Sequence, residues 1–205
     1  MSNVEALQEI REQVEVCTRC ELYRGATHAV SGEGNPEARI LLIGEAPGFH
    51  EDAQGKPFIG NSGKFLTELL AKAGLSREDV FITNVVKHRP PGNRDPLPDE
   101  IVACALWLDQ QISIIDPDVI VTLGRFSMAR YFPGQRISKI HGQPKEVDGR
   151  FVVPMYHPAA ALHNGSLKPE IEADFAKLPR LLAEFDKARE ASETKRRKAQ
   201  QGQLF

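Results

Sequence analysis

The stretch "CTRC" sets Cys17 and Cys20 two residues apart, close enough for both thiolates to grip one metal centre or one cluster. Closing such a site takes two more ligands, and the chain carries one further cysteine, Cys104. Other residues with chemical potential stand in short glycine-rich or polar stretches: "GEAPGFHED" from Gly44, Asn84 in "TN", and His157 in "YHPAA". Gly44 permits an unusual backbone angle or a close ligand approach, and Pro47 stiffens the turn. The Asn84 amide donates and accepts along one edge of a planar ligand. His157 offers an imidazole close to its titration point. Each also has an ordinary reading, as a strand-to-helix turn, a turn-forming asparagine or a structural histidine, so their placement decides.

That placement follows from alternating elements. Leu7, Ile10 and Val14 repeat like one apolar helix face, predicting a helix over Val4–Val16 that delivers the chain to Cys17. "ARILLIG" (Ala38–Gly44) is a nearly continuous apolar run and reads as a strand buried on both faces. "GNSGKFLTELLAKAGL" has helical periodicity in Phe65, Leu66, Leu69, Leu70 and Ala73, with Gly74 as its stop. The cycle repeats with a strand at Val80–Val86, a helix at Asp99–Ile115, a strand at Asp118–Gly124 and a short helix at Phe126–Tyr131. "RFVVPMYHP" carries the last strand, and a helix from Lys168 to Glu190 closes the domain. The fold class is α/β: a three-layer α/β/α sandwich around a central, mostly parallel four-stranded sheet. Ligands of such sheets bind at the carboxyl ends of the strands. "GEAPG", "TN", "LGR" and "YHPAA" all lie just past a strand, so they point to one site.

The 205 residues suffice for one sizeable core. A net charge of −2 argues against a non-specific coat for nucleic acid but leaves room for a local basic groove. No apolar run reaches the length of a bilayer span, and the polar, acidic start "MSNVEALQEIREQ" does not read as a signal peptide. An odd cysteine count with a CxxC pair then suggests metal or redox chemistry in a reducing compartment. The expected location is the cytoplasm, with no membrane contact.

Taken in order, "GEAPGFHED", "KPFIGNSG", "VFITNVVKHRPPGNRDP", "LGR" and "YHPAA", with "CTRC" upstream, resemble the uracil-DNA glycosylase superfamily, specifically its iron–sulfur family 4 enzymes. The resemblance runs from Cys17 to Leu182 and implies an enzyme that flips uracil out of DNA and hydrolyses the N-glycosidic bond, leaving an abasic site for base excision repair. By matching position, Asn84 donates to uracil O4 and accepts from N3–H, a pattern that cytosine reverses. Phe58 matches the ring on which the base stacks. Glu51 matches the wall against the thymine methyl, and Gly44 and Ala46 belong to the loop bordering the base. His157 matches the donor toward O2 of the departing uracil anion. The best-known superfamily members carry an Asp where this chain, like family 4, has Ala46. Glu45 is then the nearest carboxylate for polarising water or steadying the sugar cation. Leu162 in "AAALHNGSL" is the expected wedge into the minor groove.

Family 4 enzymes hold a 4Fe–4S cluster on four cysteines. Cys17, Cys20 and Cys104 match three of them, and the fourth position is His88 in "VVKHRPP". Neutral imidazoles bind cluster iron in Rieske centres, so the expected cofactor is a 4Fe–4S cluster on three thiolates and His88. A Cys3His zinc site, a cluster without His88, and no metal are the alternatives. His28, His50, His141, His157 and His163 match no ligand position. A relative of family 4 with a histidine after the same strand traps uracil-DNA covalently, through a basic insertion bearing a reactive histidine. Here "RPPGNRDPLPDE" is short and has no histidine. Turnover is therefore expected, with a covalent uracil-DNA binding protein as the alternative.

From Ala191, "ASETKRRKAQQGQLF" reads as a flexible basic tail on a single domain of residues 1–190. Gln201, Leu204 and Phe205 fit a QxxLF peptide resembling those that dock on sliding clamps. The expected partners are uracil-containing DNA, single- or double-stranded, and a sliding clamp. The chain is expected to act as a monomer at a prokaryotic nucleoid.

Overall fold

The computed structural model describes the backbone of residues 1–202 and the side chains of residues 1–194. In chain order the elements are α1 (Asn3–Glu15), β1 (Glu33–Gly34), β2 (Ile40–Gly44), α2 (Phe49–Gln54), α3 (Asn61–Lys72), β3 (Val80–Asn84) and α4 (Pro98–Ile115). They continue with β4 (Val119–Leu123), α5 (Arg125–Ala129), α6 (Ile137–Ile140), β5 (Lys145–Val147), β6 (Arg150–Met155), α7 (Ala159–His163), α8 (Lys168–Phe175) and α9 (Leu178–Gly202). The first helix starts on a reciprocal cap: the Ser2 hydroxyl accepts from the Glu5 N–H, and the Glu5 carboxylate accepts from the Ser2 N–H at 2.8 Å.

The four apolar runs form the parallel centre of the sheet, in the order β3-β2-β4-β6. Two further strands, β1 and β5, pair antiparallel at the edges, so the sheet has six strands where the sequence pattern gives four. The difference has a physical cause. β1 has two residues, and β5 is the exposed, polar "KEV", so neither carries the apolar run that marks a buried strand.

Every residue of β2, β3 and β4 is buried. Because side chains alternate along a strand, the sheet sorts them onto two cores. Leu41, Ile43 and Phe81 face α1 and α4 through Ile10, Val14 and Leu108. Ile40, Leu42 and Ile82 face α3, α8 and α9 through Leu66, Phe175 and Leu178. These are the three layers of the α/β/α sandwich.

The β2/β3 register sets Gly44 opposite Asn84. Pairing continues past the strand ends, where the Val85 N–H donates to the Gly44 carbonyl at 3.1 Å and the Val86 N–H to the Glu45 carbonyl at 3.2 Å. The first loop and Asn84 therefore share one edge.

The closing helix differs from the expectation at both ends. It is split into α8 and α9, with Pro179 in the first turn of α9, where a proline is tolerated because that N–H has no helical partner. It also runs on past Glu190 to Gly202, through a stretch rich in Ala, Glu, Lys, Arg and Gln, all good helix formers. Residues 191–202 are thus helical where a flexible tail was expected. Leu204, Phe205 and the side chain of Gln201 lie outside the described residues. Among the described residues, no helix is long and apolar enough to cross a membrane.

Phe175 is fully buried in the second core. Phe175→Ala is expected to lower the unfolding free energy by about 3–5 kcal/mol, read from the denaturant midpoint at unchanged slope.

Candidate active site

At the carboxyl edge of the parallel strands lies a cavity of about 450 Å³, lined by Glu45, Ala46, Glu51, Phe58, Asn84 and His157 among others. That size suits a small planar ligand. The six residues come from four separate segments of the chain, and the fold brings them together. Gly44 lies against two of them rather than on the wall: a Cβ there would stand 2.6 Å from the Phe58 ring and closer still to Asn84 Oδ1. Absence of a side chain at residue 44 is what lets the ring and the amide approach each other.

Phe58 adopts φ +52°, in the left-handed region that a bulky residue rarely enters. Its neighbours hold it there. A Cβ on Gly63 would collide with the Phe58 carbonyl, so only glycine fits beneath it. Arg77 donates to the Phe58 carbonyl at 3.1 Å and to the Pro57 carbonyl at 2.8 Å, and pairs with Glu33 at 2.7 Å. The ring is buried and faces the His157 ring with centroids 5.4 Å apart.

Glu51 is engaged through both carboxylate oxygens. Oε1 accepts from the Ile59 and Gly60 N–H groups at 2.9 and 3.0 Å, and Oε2 from the Gly48 N–H at 3.1 Å. It therefore ties the first loop to the Phe58 segment while walling the cavity. Asn84 is 1% exposed, and its Oδ1 has no hydrogen-bond partner among the described residues. A buried amide oxygen left so costs free energy unless a ligand donor fills the gap. Burial pushes the Glu45 carboxyl up, Asp95 adds to the effect, and Arg125, paired with Asp95, opposes it.

Burial also pushes His157 down to about 4, with Glu51 opposing. The Ala159 N–H donates to His157 Nδ1 at 3.2 Å. Nδ1 is then the acceptor, which leaves the proton on Nε2 of a neutral ring. Leu162, on α7, is 53% exposed beside the cavity and does not line it.

Several contributors carry no clear sequence signal. Asn93, Arg94 and His163 line the cavity rim. Arg94 is held by two bonds to Glu100, at 2.9 and 2.6 Å; a cation in the proline- and glycine-rich loop after β3 was its only hint. Lys87 lies fully buried under Asn84 among Thr83, Gln111 and the Asn84 carbonyl.

Cys17 and Cys20 pack on the core cluster that contains Cys104, and all three are free thiols. The Trp107 indole N–H donates to Cys17 Sγ at 3.3 Å, and Arg19 ties the CxxC loop to the Ala103 carbonyl at 3.1 Å. Burial pushes the Cys104 thiol up to about 11, against the pull of Lys87. His88 is 7% exposed, is pushed down by burial, and shares a small cavity with Cys17. Among the described residues, no three His, Cys, Asp or Glu side chains converge on a single ion position. The donor chemistry nevertheless fits a thiophilic centre: three unpaired thiols, an indole N–H on one sulfur, and a neutral imidazole.

The family model of the uracil DNA glycosylase superfamily matches residues 31–179. A type-4 uracil-DNA glycosylase of Sulfurisphaera tokodaii is 48% identical over 191 residues, covering 87% of this chain and 86% of its own. One of Archaeoglobus fulgidus is 45% identical, covering 87% and 94%. One of Saccharolobus solfataricus is 47% identical, covering 86% and 87%.

A histidine neutral above about 4 keeps its Nε2–H across ordinary assay pH. Nitrogen NMR of the His157 ring is expected to show one Nε2–H tautomer, unchanged from pH 8 down to about 5. A midpoint near 6.5 would contradict this assignment.

Proposed function

The chain belongs to the uracil DNA glycosylase superfamily and, within it, to the type-4 uracil-DNA glycosylases, and we propose that its cavity receives uracil flipped from DNA and releases it by hydrolysis. The observation that carries the reading is the buried, unpartnered Asn84 Oδ1 in a cavity with an aromatic floor. Uracil N3–H supplies the missing donor, while the amide nitrogen donates to O4. Cytosine has no N3–H and presents a donor where uracil has O4, so both amide groups lose their partners in a dry site. Phe58 stacks on the base, and Glu51 closes the edge where thymine carries its methyl group.

In the reaction the C1′–N1 bond breaks and its electron pair leaves with uracil. His157 Nε2–H donates toward O2, where negative charge grows, and a neutral donor fits that task without surrendering a full proton. Glu45 supplies negative charge that steadies the sugar cation and orients water. The water oxygen bonds to C1′, and its proton neutralises the uracil anion. Leu162, exposed next to the rim, fills the gap left in the duplex. The product is free uracil and an abasic strand.

Cys17, Cys20, Cys104 and His88 would hold a 4Fe–4S cluster, which supplies a rigid cross-link among the N-terminal segment, α4 and the loop after β3. The support is the donor set together with the type-4 relatives. Uracil-containing DNA is the substrate, and the protein works on it as a monomer in the cytoplasm. The QxxLF peptide at Gln201, Leu204 and Phe205 would dock on a sliding clamp, a reading supported by sequence alone.

Asn84→Ala and His157→Ala are each expected to slow uracil release from U:G, U:A and single-stranded substrates by about 100-fold or more. Wild-type protein that releases no uracil from any of them would overturn the reading. Separately, His88→Ala is expected to lower the iron content of the purified protein and alter its visible absorption. Unchanged iron and spectrum would remove His88 from the ligand set.

A further inference from the structure

Under the edge that reads the base lies a cation to which the reaction above gives no part. Lys87 follows β3 in "TNVVK", yet it is 1% exposed. Its ammonium has three N–H bonds and three acceptors: Thr83 Oγ1 at 2.6 Å, Gln111 Oε1 at 2.7 Å and the Asn84 carbonyl oxygen at 2.9 Å. All three acceptors are neutral groups, so no carboxylate offsets the buried charge. Holding an ammonium in this way is expensive, and an apolar side chain of similar length would fill the volume without that desolvation cost. What lysine adds is direction.

The direction bears on one residue above all. Asn84 has its side-chain oxygen without a partner in the cavity, while its own carbonyl is held from below by Lys87. Fixing that carbonyl fixes the peptide plane, and with it the line along which the amide leaves the backbone. The anchor is itself anchored. Gln111 Nε2 donates to the Ser31 carbonyl at 2.7 Å, and the Thr83 hydroxyl donates to the same carbonyl at 2.8 Å. The Lys87 carbonyl accepts from the Val30 N–H at 2.7 Å. Gln111 lies two turns after Cys104 on α4, on the same buried face as Trp107, whose indole meets Cys17.

We infer that Lys87 is a positioning residue for uracil recognition: its buried ammonium holds the Asn84 carbonyl, and through Gln111 it ties that edge to the helix carrying Cys104. The inference rests on the uracil-excision reading of the cavity. It distinguishes Lys87 from a residue that only stabilises the fold, because a small shift of Asn84 affects the bond-breaking step and base affinity more than the grip on DNA.

The test uses the full chain with its metal retained. Lys87→Met keeps the stem and removes the three donors. Its single-turnover rate of uracil excision is expected to fall about 10- to 100-fold, with inhibition by free uracil weakened in parallel. Affinity for uracil-containing DNA and iron content are expected to stay within about threefold of wild type. A folded Lys87→Met protein with rate and uracil inhibition within about twofold of wild type would overturn the inference. Should that variant not fold, Thr83→Val and Gln111→Met each remove one acceptor; a several-fold rate loss at unchanged DNA affinity supports the inference, and wild-type rates in both overturn it. An inactive wild type would bring down the uracil-excision reading as well, whereas an active wild type with unaffected variants removes only the role of Lys87.

Discussion

Two parallel strands ending in step, with Gly44 beside Asn84, set the geometry on which the site depends. A strand ladder fixes backbone positions to within a hydrogen-bond length, and here it continues one residue further into the first loop. Because residue 44 has no Cβ, the amide of Asn84 and the ring of Phe58 pack into the space a side chain would take. Phe58 then sits in a backbone conformation that glycine would prefer, held by Gly63 below and Arg77 behind. The cavity is thus built from close approaches between segments distant in sequence, with little slack left for a larger residue at either glycine.

Polar groups do the rest of the bracing. Glu51 spends both oxygens on backbone N–H groups of two loops, so it fixes the distance between the first loop and the stacking ring. His157 takes a backbone N–H on Nδ1 and so presents its single proton from Nε2. Asn84 Oδ1 is buried and has no partner among the described residues, and it is the atom to which the proposed reading assigns uracil N3–H. A site whose walls are braced internally and whose open polar groups match one base edge gains selectivity from mismatch rather than from tight packing alone.

The parallel centre of the fold was legible because "ARILLIG", "VFITNVV", "DVIVTLG" and "RFVVP" are apolar runs of strand length separated by helical periods. Polar edge strands of two and three residues leave no such trace, which is why β1 and β5 emerge only from pairing. The split between α8 and α9 was marked by Pro179, but a proline in a first turn and a proline in a kink look alike in sequence. Among site residues, Gly44, Asn84 and His157 stood at strand ends, where the topology gives polar residues meaning. Gly63 and Lys87 were not legible. The first matters through a contact with Phe58 that only three dimensions supply, and lysine is ordinarily a surface residue.

The most direct test of the central claim changes the base rather than the protein. Single-turnover excision can be compared between DNA carrying uracil and DNA carrying N3-methyluracil at the same position. If Asn84 Oδ1 reads N3–H, methylation removes the donor and places a methyl group against the buried oxygen, and excision is expected to fall by about 100-fold or more. Equal rates on the two bases would contradict the account.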